Sequence, residues 1–431
     1  MNSDDAHPDD AHPDARDLTR TEQAVTDWLR ENWTAELTLR TWWGRLAESC
    51  LGFPTWPSGH FGRGWTRDQT SAAERAFRAA GAIGGPTGLG VLMGGPVVIA
   101  HGNDEQRSRL LPPLAKGTEG WCQLFSEPGA GSDLASVSTR AERDGDEWVM
   151  TGQKVWTSGA AHCKRGMLVA RTDPDQPKHR GLTYFIIDME QPEVEIRPLK
   201  QMNGRAHVNE VFLTEARVSD ADRIGGVNDG WAVTVATLAF ERAGLSAADG
   251  GTGLRPAAGE TAGLLDVPIR ELFDRRRANR EVSDEESGSF AMLRAIAGEL
   301  GRVGESAIRQ DLARLASLER IAAASQQRAA ANRKAGRPPG AESSTAKLFW
   351  TEGLKHSRDL SMEILGPWGM LEGDGTPRGG RVQQFVLTMP SASIAGGSDE
   401  IQRNIIGERT LGLPKDIVVD ADVPFRETRR S

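Results

Sequence analysis

The apolar residues of this chain change their spacing twice, and that change constrains the fold more than any other feature of the sequence. Over residues 18–120 apolar side chains recur at helical spacing. Residues 121–228 instead form short β-rich runs such as Leu182 to Ile187, with turn signals such as Asn203-Gly204 between them. Helical spacing returns over residues 229–415. The pattern predicts an α+β fold in the order N-terminal helical domain, middle β-barrel or sandwich domain, and C-terminal helical domain.

The two ends of the chain do not follow these patterns. Residues 1–17 contain a repeated Asp-Asp-Ala-His-Pro sequence, and such a polar, proline-containing stretch cannot bury enough apolar surface to fold. We therefore expect a disordered leader. Residues 416–431 follow the last stretch of helical spacing and are expected to form a C-terminal tail.

Composition and charge exclude several classes of protein. With 431 residues, 38% hydrophobic and 26% charged, the chain is typical of a globular protein with more than one domain. A formal net charge of -8 gives no overall basic attraction to nucleic acid or to anionic lipid. No apolar run approaches the roughly 18 residues that span a bilayer, and Met1 is followed by acidic and polar residues instead of a signal peptide. We expect a cytoplasmic location.

The cysteines indicate neither a disulfide framework nor a metal site. Cys50, Cys122 and Cys163 are odd in number and lack CxxC spacing. Free thiols in a reducing compartment fit this usage. We predict no metal centre.

Two glycine-rich segments lead to different interpretations. Gly88 to Gly94 has GxGxxxG spacing in helical surroundings, which fits neither a Rossmann fingerprint nor a Walker loop and indicates close packing. Ser126 to Asp133 contains proline and two glycines among hydroxyls and carboxylates, and this composition favours an exposed loop. The backbone N–H groups of such a loop can hold an anionic or carbonyl-rich ligand, although an ordinary tight turn has the same composition.

Four segments resemble the acyl-CoA dehydrogenase family and stand in the order that this family has. The first two belong to the middle β domain: Trp121 to Leu134 includes Ser126-Glu127-Pro128-Gly129-Ala130-Gly131-Ser132-Asp133, and Gly152 to Ala160 includes Trp156-Thr157-Ser158. The others are Val227 to Trp231 and Glu400 to Asn404. Together they extend over nearly the whole chain after about residue 20.

This resemblance implies an FAD enzyme that converts an acyl-CoA thioester to the trans-2-enoyl-CoA and passes electrons to an electron-transfer flavoprotein. It also implies that the C-terminal domain is a four-helix bundle and that the chain assembles as a homodimer or tetramer.

The family pattern assigns roles to individual residues. Ser126 is expected beside the flavin, Trp156 near its ring, and Ser158 close to its reactive nitrogen. The full set of cofactor positions is Phe125, Ser126, Gly131, Trp156, Ser158, Ser398 and Glu400. Ser132 is expected to contact the acyl-CoA, and Arg242 is expected either to orient the thioester end of the substrate or to form a salt bridge. Taken alone, Trp156 would be read as a core residue and the serines as turn or strand-end hydroxyls.

One position departs from the family in a way that affects the chemistry. Dehydrogenation of a thioester needs a base for the α-proton, a hydride acceptor, and hydrogen-bond donors for the developing enolate oxygen. Many members place the catalytic Glu in a Tyr-Glu-Gly-Thr loop, where this chain has Gly396. Gly396 keeps the backbone N–H that serves as an oxyanion donor. Glu241 resembles the base position of the isovaleryl-CoA and long-chain branches, whereas Asp399 and Glu400 are weaker candidates for the base.

Other departures concern the diphosphate of the cofactor. The region from Ala247 to Leu300 lacks the Arg-x-x-Phe-Gly segment of the family, and Glu363 to Gly369 carries Glu for Gln and Pro for the second Gly. A carboxylate beside a pyrophosphate repels it unless a cation intervenes. Such departures resemble paralogues that form mixed tetramers. Two alternatives to an active acyl-CoA dehydrogenase stay open: a non-catalytic or half-site subunit of a heteromer, and a flavin monooxygenase or oxidase on the same fold.

Overall fold

The computed structural model divides the chain into two compact units. It describes residues 15–245, 256–259, 263–278, 288–334, 342–415, 417 and 420–428. The larger unit consists of Met1–Leu199, His207–Asn279 and Asp420–Ser431, and the smaller unit consists of Lys200–Ala206 and Arg280–Val419.

The larger unit begins with a group of helices around a tryptophan-rich core. These are α1 (Ala15–Asn32), α2 (Leu39–Glu48), α3 (Arg67–Ala79), α4 (Gly95–His101) and α5 (Asp104–Ala115). Trp42 and Trp43 of α2 are fully buried, and their indole N–H groups donate to the carbonyls of Ile83 (2.9 Å) and Gly84 (3.2 Å). Because these polar atoms are satisfied, the large rings can fill the core without cost. Helix α1 begins at Ala15, slightly before the predicted start near residue 18.

The glycine-rich segment before α4 is a packing element, as predicted. It forms a short π-helical turn at Gly90–Gly94. A Cβ atom on Gly90 would lie 2.9 Å from the Cβ of Trp121, and one on Gly94 would lie 2.6 Å from the Trp121 ring. Glycine therefore permits this close approach to Trp121.

The middle of the chain forms one eight-stranded sheet. Its strands are β1 (Trp121–Leu124), β2 (Arg140–Asp144), β3 (Glu147–Ser158), β4 (Arg165–Arg171), β5 (Leu182–Asp188), β6 (Val194–Leu199), β7 (Val208–Ser219) and β8 (Arg223–Ile224). The order is β6-β7-β3-β2-β4-β5-β8, and β1 pairs in parallel with β4. Strand β4 is buried on both faces: Leu168 and Ala170 join one hydrophobic cluster, while Met167 and Val169 join another that includes residues of α4 and α5.

Two further helices of the larger unit follow the sheet. Helix α6 (Gly230–Leu245) packs against β5 and the π-helical turn, and α7 (Ile269–Ala278) contributes Ile269 and Leu272 to the tryptophan-rich core. On α6, Thr237 is buried and its hydroxyl lies 3.4 Å from that of Tyr184.

The smaller unit is helical. It contains α8 (Phe290–Glu299), α9 (Ser306–Lys334), α10 (Glu342–Leu365), α11 (Arg381–Thr388) and α12 (Asp399–Arg409). Its core is formed by Leu293, Ile296, Ile308, Leu312, Leu360 and Ile364, which are buried at helical spacing. The predicted order of helices, β domain and helices is confirmed.

The described C-terminal residues belong to the larger unit. Residues 420–428 lie in the stretch that the sequence indicated as a tail, and Pro424 forms a β-bridge with Pro177, close to the end of β4. A short 3-10 turn follows at Phe425–Glu427.

Candidate active site

The loop at residues 126–133, called the signature loop below, has a tight turn at its start. Glu127 and Ala130 exchange two backbone hydrogen bonds of 3.0 Å, which closes the turn over Pro128-Gly129. Beyond it, Gly131, Ser132 and Asp133 are exposed. A Cβ atom on Gly131 would meet no atom within 4 Å, so the apex of the loop faces open space.

A buried ion pair fixes the base of the signature loop. The Nζ of Lys154 donates to the Glu127 carboxylate (2.8 Å) and to the carbonyls of Phe125 (3.1 Å) and Val169 (2.8 Å). The carboxylate also accepts from the backbone N–H of Ser138 at 2.7 Å. Burial opposes the charge of Glu127, but the Lys154 ammonium and the hydrogen bonds hold its pKa at about 2. Burial also lowers the pKa of Lys154, and the attraction of Glu127 partly offsets this effect.

Strand β3 presents Trp156 on its exposed side. The β3–β7 ladder is irregular between Lys154 and Thr157, and Trp156 has a φ of 62°, in the left-handed region that bulky residues avoid. Its side chain is 59% exposed, whereas the neighbouring Thr157 is buried. Trp156 is therefore not the core residue that it would be by residue type alone.

Among the other predicted flavin residues of the larger unit, Ser126 and Ser158 lie near this irregularity, and Phe125 is buried. The backbone carbonyl of Ser126 accepts from Val155 N at 2.9 Å, so the signature loop is attached to β3 next to Trp156. Ser158, at the end of β3, is exposed. The side chain of Phe125 is instead buried and packs edge-to-face on Tyr184, with ring centroids 5.9 Å apart. The exposed indole of Trp156 on strained backbone, with the exposed Ser158 and the half-buried Ser126 close by in the chain, fits a planar, hydrogen-bonding cofactor.

Glu241 lies on the face of α6 that is turned towards the core. It follows Thr237 by one helical turn, and both Val233 and Thr237 on this face are buried. Glu241 itself is half-buried. Leu238 and Phe240 pack against the hydrophobic cluster that contains Met167 and Val169 of β4. The side chain of Arg242 lies outside the described residues.

In the smaller unit, the loop before α12 is held by its own backbone. Gly396 and Gly397 have φ values of 68° and 89°, and Gln402 Nε2 donates to their carbonyls at 3.1 and 3.4 Å. Gly396 is exposed, and its N–H donates to no acceptor among the residues that the structure describes. Ser398 caps α12 by accepting from Ile401 N at 3.4 Å. Both positive φ values favour glycine.

The acidic residues that follow in α12 have different surroundings. Asp399 is buried and accepts from Thr351 Oγ1 (2.9 Å) and Lys355 Nζ (2.6 Å). Burial opposes its charge, yet these hydrogen bonds hold its pKa below the ordinary value. A carboxylate with these partners is a poor proton acceptor. Glu400 is exposed, and its carboxylate lies 3.6 Å from Arg403.

A cation, Arg302, lies next to the predicted diphosphate segment that carries Glu363. Arg302 donates to the backbone carbonyls of Glu363 and Ile364, and it also pairs with Glu305 at 2.7 Å. The hydrogen bond to Glu305 raises the pKa of Arg302, and the charge of Glu363 adds to the shift. The carboxylate of Glu363 thus has a cation beside it.

Two groups next to predicted site residues, one in each unit, were not predicted from the sequence. One is the Lys154–Glu127 pair, which has a sequence signal: Lys154 continues the inward alternation of Trp148, Met150 and Gly152 along β3. The other is Lys347, whose Nζ donates to the carbonyl of Ala392, in the turn before Gly396. No spacing in the sequence connects these two residues.

Three family models match the chain. They describe the acyl-CoA dehydrogenase N-terminal domain at residues 13–118, the middle domain at 122–216 and the C-terminal domain at 288–411. The chain belongs to the acyl-CoA dehydrogenase family. It is an FAD-dependent oxidoreductase that acts on acyl-CoA.

Relatives and solved structures agree with this assignment. The chain is 37% identical to acyl-CoA dehydrogenase IpdE1 of Mycobacterium tuberculosis, over 88% of each chain. It is 34% identical to IpdE1 of Mycolicibacterium smegmatis, over 88% of this chain and 89% of the relative. The ChsE4-ChsE5 complex from Mycobacterium tuberculosis has a similar fold, with a TM-score of 0.64 at 25% identity over 94% of this chain and 99% of that one.

The described residues also lack two further features. None of their helices is long and apolar enough to cross a membrane. Within the same residues, no group of three or more His, Cys, Asp or Glu side chains is arranged to hold a metal ion.

Proposed function

We propose that the chain oxidises the α,β bond of its acyl-CoA to the trans-2-enoyl-CoA, with Glu241 as the base that takes the α-proton. One observation carries this proposal: Glu241 is a half-buried carboxylate on the inward face of α6, while Gly396 offers no side chain. As the α-proton moves to the Glu241 carboxylate, the electron pair of that C–H bond forms the new double bond. FAD, when bound, accepts the β-hydrogen as a hydride.

The enolate oxygen that develops in this step needs donors. The N–H of Gly396 is suited to this task because it donates to no acceptor among the described residues and belongs to a loop held by Gln402. A donor that is fixed before the reaction does not have to reorient when charge develops.

The assignment of cofactor and substrate residues follows the same proposal. Ser126, Trp156 and Ser158 bind the flavin, which is supported by the exposure of Trp156 and Ser158 and by the attachment of the half-buried Ser126 to β3. Gly131 and Ser132 at the open apex of the signature loop are assigned to the cofactor and to acyl-CoA. Phe125 supports the site through its carbonyl, which accepts from Lys154. Ser398, Glu400 and Arg242 are assigned by family resemblance alone.

We further propose that the reduced enzyme passes its electrons to an electron-transfer flavoprotein and that it works as an oligomer. Trp368, Met370 and Leu371 are 41%, 87% and 51% exposed and follow one another closely after α10. Apolar side chains that are exposed together in this way are typical of a surface that another chain covers.

A second candidate is a half-site subunit of a heteromeric acyl-CoA dehydrogenase. It is favoured by Glu363 and Pro367 in the predicted diphosphate segment and by the two-component composition of the ChsE4-ChsE5 complex. Expressing the chain alone distinguishes the candidates. An active homomer retains FAD at about one per chain, whereas a half-site subunit takes up FAD only with its partner.

The proposed base is tested by mixing the FAD-loaded enzyme with a series of acyl-CoA thioesters without oxygen and following flavin bleaching. Glu241→Gln should slow bleaching about 10²- to 10⁴-fold while acyl-CoA binding persists. Glu271→Gln, which changes an exposed helical carboxylate paired with Arg275, is the control. Bleaching of the Glu241→Gln enzyme at the wild-type rate would remove Glu241 from the mechanism.

A further inference from the structure

Residues 420–428 make contacts that the family domains do not account for. They follow the range 288–411 that the C-terminal family model matches. The backbone N–H of Phe425 donates to Gln176 O at 2.9 Å, and that of Arg426 donates to Pro174 O at 3.0 Å. The side chain of Arg426 also pairs with Asp175. This short segment is therefore attached to the connection between β4 and β5.

The side chain of Phe425 covers a buried arginine. Phe425 is 4% exposed and Arg171 is 3% exposed, and the guanidinium carbon of Arg171 lies 3.8 Å from the centroid of the phenyl ring. A cation over an aromatic face is attracted by it, and the attraction is largest where water is excluded. Burial lowers the pKa of Arg171 to about 10, so the guanidinium stays charged at neutral pH.

Arg171 in turn holds the residues that follow the signature loop. Its Nη2 donates to the carbonyls of Ala135 (2.6 Å) and Val137 (3.2 Å), and its Nη1 donates to that of Lys178 (2.7 Å). The ammonium of Lys178 reaches Asp133, at the end of the loop, at 2.9 Å. Contacts thus run without a break from the C-terminal segment to the loop.

The apex of the signature loop, Gly131 and Ser132, takes no part in the contacts just described. Before the apex in the chain, the carboxylate of Glu127 accepts from the backbone N–H of Ser138. The segments before and after the exposed residues Gly131 and Ser132 are therefore both anchored. An apex held from both sides loses less conformational entropy when a ligand binds.

We propose that Phe425 is a positioning residue for the acyl-CoA-binding apex of the signature loop and that it acts through Arg171. This inference rests on the proposed function, which assigns Ser132 to acyl-CoA. Without the ring, one face of the guanidinium gains solvent. Arg171 then holds the carbonyls of Ala135 and Val137 less firmly, and the apex becomes more mobile.

The test measures binding without turnover. The full chain, loaded with FAD, is titrated with trans-2-enoyl-CoA thioesters while the flavin absorption spectrum is followed. Phe425→Leu keeps an apolar side chain but removes the ring, and we expect its Kd to rise about 3- to 30-fold with FAD content unchanged. Phe425→Tyr keeps the ring face and should bind within about twofold of wild type.

A matched control uses another cation–π pair of the larger unit. Arg197 lies over Phe212 at 4.5 Å on the β6–β7 side of the sheet, and Phe212→Leu should leave the Kd unchanged. Wild-type affinity in Phe425→Leu, or equal weakening in Phe425→Tyr, would overturn the proposal. Loss of FAD from Phe425→Leu would also overturn it, because the effect would then lie at the flavin.

The outcome can be separated from a failure of the proposed function. If Glu241→Gln still bleaches the flavin, the base assignment is wrong, yet the Kd change in Phe425→Leu is still measurable. If Phe425→Leu binds normally while Glu241→Gln loses flavin reduction, only the positioning role is wrong.

Discussion

The ammonium of Lys154 and the carboxylate of Glu127 are 2.8 Å apart, with side chains 0% and 5% exposed. Two charges taken out of water to this extent are stable only together, since each compensates the desolvation of the other. Lys154 lies on β3 and Glu127 on the signature loop, so the pair joins the two segments that carry the proposed flavin residues.

Removing one partner should therefore be costly. We expect Lys154→Met to lower the free energy of unfolding by about 3–5 kcal/mol, because Glu127 is left as an uncompensated buried charge. Urea denaturation of the FAD-free protein measures this. Lys164→Met, which removes a partly exposed ion pair with Glu119 at 3.6 Å and leaves Glu119 paired with Arg165, should change stability by less than about 1 kcal/mol. Similar values for both variants would contradict the compensation of Glu127 by Lys154.

The carboxylate of Glu127 makes the free energy of unfolding depend on pH. Glu127 has a pKa of about 2 in the folded chain against an ordinary 4.5, so its contribution is complete above pH 4.5 and is lost as the pH falls towards 2. The shift corresponds to about 3 kcal/mol. We expect the unfolding free energy of Glu127→Gln to fall less steeply over this range than that of wild type. Parallel pH profiles would show that Glu127 is not responsible.

A glutamate at position 396 tests whether the base can act from that loop instead of from position 241. A Cβ on Gly396 would lie 3.7 Å from Lys347 Cε, an ordinary contact, but the φ of 68° strains any side chain there. In a Glu241→Gln background, Gly396→Glu should restore part of the rate of flavin bleaching. Gly396→Ala in that background adds the Cβ without the carboxylate and should restore none. Equal rates in the two double variants would exclude a transferred base.

Trp156 allows a test that separates binding from stability. Because its backbone is strained and its ring is 59% exposed, Trp156→Gly should leave the stability of the FAD-free protein unchanged or raise it. Loss of the stacked ring should weaken FAD binding about tenfold. Trp350→Ala, at a tryptophan of α10 that is 42% exposed and lies outside the predicted cofactor segments, is the control for FAD titration. Strong destabilisation of the FAD-free Trp156→Gly protein would show that the ring packs in the fold.

The sequence predicted the order of domains because periodicity reports directly which residues are buried. It could not predict the exposure of Trp156, since one irregularity in a ladder reverses the face of every later residue. The roles of Asp399 and Phe425 depend on contacts with Lys355 and Arg171, which are distant in the chain. Such contacts leave no local pattern, whereas the inward-facing Lys154 did leave one in the alternation of β3.

The irregularity in β3 also limits how this region can change during evolution. Without it, Ser158 would share a face with Lys154, because residues four apart in a regular strand point the same way. In a regular ladder of the same length, Trp156 would point into the interior and Thr157 would reach the surface. Substitutions can accumulate along this strand, but the extra residue has to stay unpaired for the side chains after it to keep their present faces of the sheet.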